Sequence, residues 1–119
     1  MHLFPAAEEM TFLIGCELRT ITLMRWQTHL EFDRASLSVE WAFEHVEPNG
    51  ATWRYSNETD GLEPLALRRL CQQTVQMIMA EPHTLTLAFG GGDLLRVFTE
   101  ERQYECGQIS DANGTLIVF

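Results

Sequence analysis

The apolar positions of this chain change period along its length, and each change marks an element. In "FPAAEEMTFLIG", Met10, Leu13 and Ile14 recur at helical spacing. Pro5 suits a first helical turn, Glu8 and Glu9 suit a helix N-terminus, and Gly15 can end it, so a short helix is predicted. "ELRTITLM" at 17–24 is rich in Thr and in branched or long apolar residues and reads as a strand. "HLEFD" then puts Leu30 and Phe32 on one face and His29, Glu31 and Asp33 on the other. "SLSVEWAFE" alternates most cleanly, with Leu37, Val39, Trp41 and Phe43 pointing one way, and reads as a single strand over 36–44 with Trp41 in the core. A turn at "EPNG" and a strand at "ATWRYS" follow.

After the acidic connection "NETDGLEP" the pattern starts again. Leu67, Leu70 and Cys71 return to helical spacing, with Arg68 and Arg69 near the C-terminal end. "TVQMIMA", "TLTLAF" and "LLRVFT" read as strands, and "DANG" turns a last hairpin between "RQYECGQIS" and "TLIVF". A step of about 57 residues takes Met10 to Leu67, Leu13 to Leu70, Leu18 to Val75, Leu30 to Leu87 and Phe32 to Phe89. Beyond that point the step lengthens by one, pairing Leu37 with Leu95 and Val39 with Val97. One domain over 1–119 is therefore expected, with pseudo-repeats at about 5–56 and 62–119.

The repeat bears on the glycine triplet in "AFGGGDLLRVF". A turn without glycine, "DRAS", occupies the same place in the first half. No Lys follows the triplet, and strand alternation rather than a helix comes next, so it reverses a hairpin instead of cradling phosphate.

Charge narrows the function classes. Seventeen acids face eight bases for a net charge of −9, and every base is Arg. Such a surface repels phosphate backbones, which argues against nucleic acid, and the missing lysine removes Schiff-base chemistry. A cationic ligand or a basic protein partner suits it. No apolar run approaches the ~20 residues of a membrane span, and the start "MHLFPAAEEM" lacks the pattern of a signal peptide. Cys16, Cys71 and Cys106 are widely spaced and read as reduced, packed thiols, so a cytoplasmic protein without cofactor is expected.

Candidate chemistry is sparse. His29, Glu31 and Asp33 alternate on one strand and could bind a divalent metal, or could simply be its wet face. Glu40, Glu44 and His45 form a second polar group, whose carboxylates could serve acid–base work if buried together, and which otherwise reads as a solvated strand face. Trp26 beside Arg25 and Trp53 beside Arg54 have the composition of protein interfaces, although small β domains also tuck tryptophans under loops. Tyr104 and Glu105 could line a pocket, or Glu105 could fix the entry of the last hairpin.

The stretches "LIGCEL", "LTLAFGGGDLLRV", "QYECGQI" and "DANGTLIVF" resemble a family of small uncharacterised bacterial proteins, a domain of unknown function (DUF6188-like). Tyr104 and Glu105 match its late Tyr-Glu pair. Gly107 stands where the family tends to carry Trp, and Gln72 where the second "L-x-G" would have Gly. The resemblance implies a sheet-based fold and brings no activity, cofactor or catalytic residue with it.

The expected architecture is α+β with β dominant: two antiparallel meanders, each led by a short helix, and a C-terminal hairpin. They would form one twisted sheet folded on itself, or two sheets sharing a core. A homodimer would cover edge strands such as "TLIVF". The expected function is a non-enzymatic interaction module using Trp26, Trp53, Arg54, Tyr104 and Glu105, in the style of an inhibitor or immunity protein against a basic partner. The alternative is a small-molecule or metal-binding domain on the His29–Glu31–Asp33 face or near Glu105.

Overall fold

The computed structural model describes residues 3–56, 64–100 and 105–119. Among these residues are ten strands: β1 (Leu18–Leu23), β2 (Thr28–Phe32), β3 (Ala35–Val39), β4 (Ala42–Val46), β5 (Thr52–Ser56), β6 (Val75–Glu81), β7 (Thr84–Phe89), β8 (Leu94–Phe98), β9 (Gly107–Asp111) and β10 (Leu116–Val118). They form two antiparallel five-stranded sheets, in the orders β1-β2-β3-β9-β10 and β5-β4-β8-β7-β6. The hairpin β4–β5 thus lies beside β8, and the hairpin β9–β10 beside β3. Among the described residues no helix is long and apolar enough to cross a membrane.

The expected short helices are 3-10 segments, Ala7–Leu13 and Pro64–Leu70. Ala6 caps the first without a side-chain hydrogen bond, and Met10 departs from helical geometry. Seven residues with no Ser, Thr or Asp cap fall short of what an α-helix needs to nucleate.

The single strand expected over 36–44 is corrected. The chain breaks at Glu40–Trp41, where the Glu40 N–H donates to the Cys106 carbonyl, and β4 continues in the other sheet. Alternation could not reveal this, because both sheets turn their apolar faces to the same core. Trp41 is accordingly half-buried against the core rather than within it.

Register decides which side chains meet. In the first sheet one inner row runs Ile117–Ile109–Leu37–Leu30–Ile21. In the second sheet the inner rows are Trp53–His45–Leu95–Leu87–Ile78 and Tyr55–Phe43–Val97–Leu85–Ala80. Phe119 is fully buried, 4.5 Å from the Phe4 ring centroid, and fills the space beside Gly107.

The two sheets are joined where β1 and β6 begin. The Gly15 N–H donates to Val75 O and the Gln72 N–H to Leu18 O, each at 2.7 Å. Leu18 N–H donates to Gln73 O and Val75 N–H to Cys16 O, while Glu17 and Thr74 bridge. Gly15 and Gln72 both adopt positive φ, 89° and 72°. Register slips between Leu18 and Thr20 on one side and between Val75 and Met77 on the other. The glycine triplet closes the β7–β8 hairpin, with Gly92 at φ 93° and the Phe89 N–H bonded to the Asp93 carbonyl.

Candidate functional site

The turn joining β1 to β2 is closed by the Met24 N–H donating to Gln27 O at 2.9 Å, which lifts Arg25 and Trp26 to its tip. Trp26 is 63% exposed, and Leu23 and Met24 beside it are 49% and 46% exposed. The Arg25 guanidinium lies 5.0 Å over the Trp26 ring, a cation–π contact that steadies both side chains in water. The two tryptophans paired in the sequence reading part company. Trp53 lies on an inner row, half-buried, and its indole N–H donates to Glu47 at 2.8 Å. Arg54 points outward from the same strand and sits 4.7 Å over the Phe98 ring. Glu105 accepts from the Gln108 amide at 3.1 Å, and Tyr104 lies outside the described residues.

His29, Glu31 and Asp33 are not gathered at one point. His29 Nε2 lies 2.7 Å from Glu31, and its Nδ1 lies 2.9 Å from the Ser38 hydroxyl on β3. Asp33 turns away and accepts the Glu17 backbone N–H at 3.1 Å. No three His, Cys, Asp or Glu side chains among the described residues form a metal-holding group. The Ser38–His29–Glu31 order resembles the wiring of an activated hydroxyl. It lies on an open sheet face, and β3 is paired on both sides with β2 and β9, which commits the local amides to ladders. A shallow cleft of about 180 Å³ lies nearby, lined by Glu31, Asp33, Arg34, Ser110 and Asp111. Drug-sized ligands use pockets of roughly 300–1,000 Å³.

The second polar group of the sequence reading is also corrected. Glu44 faces outward and pairs with Arg96 at 2.8 Å, whereas His45 is fully buried on the inner face. His45 Nε2 donates to Asp93, also fully buried, at 2.7 Å. Arg69 grips the same carboxylate with Nε at 3.2 Å and Nη2 at 3.1 Å, and the Gln73 amide adds a bond at 3.1 Å. Arg69 also approaches Glu47 at 3.4 Å, which ties the network to Trp53. Burial pushes the Asp93 carboxyl up, but bonds from Arg69, His45 and Gln73 outweigh it and hold it below the usual carboxylate range. His45 Nδ1 has no hydrogen-bond partner among the described residues.

Sequence reasoning missed Asp93 altogether and placed His45 in water. The signal for His45 was present: it continues the alternation of Phe43 and so belongs on the inner face. Nothing local marks Asp93, whose side-chain partners lie 48, 24 and 20 residues away.

Comparison with protein-family models, with curated proteins and with solved structures finds no match to this chain.

Proposed function

We propose that this protein is a non-enzymatic interaction module that receives a basic protein partner, in the manner of an inhibitor or immunity protein. The observation that carries the reading is the β1–β2 tip, where Leu23, Met24 and Trp26 stand exposed together. An exposed indole flanked by apolar side chains costs solubility and has the composition of a binding hot spot. The net charge of −9 accelerates encounter with a cationic surface and makes it salt-sensitive. Among the described residues the competing reading, a small-molecule or metal site, draws support from the His29–Glu31 pair and the shallow cleft beside it.

The test is a pull-down from host lysate at low and moderate salt with wild type and Trp26→Ala. A specific partner that weakens about tenfold or more in the variant, and weakens further with salt, is expected. Background capture together with a melting curve raised by zinc, manganese or a metabolite would replace this reading with the competing one.

The proposal extends to the origin of the fold. We read the halves as an internal duplication, each a 3-10 segment, a three-strand meander and a hairpin. Supporting this are the two positive-φ residues 57 positions apart, the two matching register slips and the reciprocal Gly15–Val75 and Gln72–Leu18 bonds. Kinship with the DUF6188-like proteins belongs to the same proposal. At Gly107 a Cβ would lie 2.3 Å from the Phe119 ring, so here an aromatic just after β10 fills the space beside that position.

A further inference from the structure

The outer faces of the two sheets are built on matching strand orders and carry opposite chemistry. On the first sheet the outer rows read Leu116–Ser110–Ser36–Glu31–Thr20 and Val118–Gln108–Ser38–His29–Thr22. This is the polar face that an antiparallel sheet shows to water. On the second sheet the corresponding row reads Thr52–Val46–Leu94–Ala88–Met77, apolar at four of five positions. The next row, Arg54–Glu44–Arg96–Thr86–Met79, ends in a second methionine. Met77 and Met79 are 56% and 51% exposed, and Phe98 adds a ring capped by Arg54. The first sheet acts as an internal control: the same kind of ladder need not be apolar outside.

We propose that the outer face of the second sheet docks a second copy of this chain, face to face. Charge selects that occupant. The face carries Arg54, Arg96, Glu44 and Glu81, which sum to zero, within a chain whose net charge is −9. Glu44 is already paired with Arg96, so a basic partner finds little to attract it here. A second acidic copy therefore meets little net repulsion from these side chains. Size agrees. Five strands about 4.8 Å apart, each with five residues rising about 3.3 Å, project roughly 400 Å². Side-chain relief and the rim bring this toward the ~600–800 Å² per partner that stable interfaces use. Methionines adapt their shape to such a contact. Two sheets stacking face to face pack about 10 Å apart. The dimer therefore covers a face, whereas the sequence pointed to edge strands.

The experiment is light scattering and sedimentation of the full chain from about 1 to 200 µM, with oxidation mapping of the methionines. Wild type is expected at twice 13.7 kDa in the upper part of that range. Met77→Glu and Met79→Glu are expected at 13.7 kDa, and Thr20→Glu on the opposite outer face is expected to stay dimeric. Mild peroxide gives a readout without substitution. Met24, Met77 and Met79 have similar exposure in one copy, so equal oxidation marks a monomer. In the dimer Met77 and Met79 should react several-fold more slowly than Met24. A monomeric mass throughout, equal oxidation, or a dimer lost with Thr20→Glu and kept with Met77→Glu would overturn the proposal.

Discussion

Asp93 is the residue on which the interior depends most. It is wholly buried, yet it holds together β4 through His45, the second 3-10 segment through Arg69, and Gln73 beyond it. Removing the carboxylate leaves buried His45 without its partner and takes a two-point contact from Arg69, so Asp93→Ala should cost about 3–5 kcal/mol in urea unfolding. The pH dependence follows from the direction of its shift. The folded carboxyl lies below its unfolded range, so its contribution is complete above about pH 4 and is lost as pH falls through the folded value. Asp93→Asn should therefore be less stable than wild type at pH 7 and show a flatter decline below pH 4, measured by urea melts across that window. Gly107 is constrained by space instead. An added Cβ would stand 2.2 Å from the Ser38 carbonyl oxygen, so Gly107→Ala should destabilise by about 1–3 kcal/mol through a forced parting of β3 and β9.

At the scale of elements, the sequence disclosed periods and turns more readily than partners. The strands at 29–33 and 84–89, the "DANG" turn and the glycine hairpin were legible because local alternation and turn chemistry determine them. The exchange of hairpins was not legible. Residues 36–44 keep one alternation while the chain passes from one sheet to the other, and only long-range pairing distinguishes the two. The same limit hid the site: Trp26 and Trp53 look alike in the sequence, and only register sends one to a tip and the other inward. Gln72 is the clearest case of a local rule set aside. It takes φ 72°, a region that Gly15 also enters at 89°, and its N–H must reach Leu18 O. A left-handed conformation costs a residue with a Cβ about 1–2 kcal/mol. Gln72→Gly should therefore raise stability by roughly 0.5–1 kcal/mol after the unfolded-state entropy of glycine is allowed for, and Gly15→Ala should lower it by about 1–2 kcal/mol. Paired thermal and denaturant melts read both effects.

For the whole molecule, the two sheets divide their outward roles. One outer face is polar and carries the His29–Glu31–Ser38 chain, the other combines an apolar row with electrically balanced charges, and the β1–β2 tip projects three apolar side chains. On the functional reading, Trp26→Ala should weaken partner capture about tenfold or more while leaving the melting temperature within about 2 °C, since the indole has few native contacts to lose. A large fall in melting temperature would assign the tip to the fold instead.

The exchange of hairpins also governs how the molecule comes into being. β3 waits for β9, and β8 reaches back to β4. Neither sheet can be finished from residues 3–56 or from residues 64–119 alone, so the first half leaves the ribosome with an unzipped flank on β3. Closure over such separations is slow, on the order of milliseconds to seconds. During synthesis the nascent chain consequently displays an unpaired edge on β3 until β9 emerges, which makes this interval the natural point for chaperone engagement.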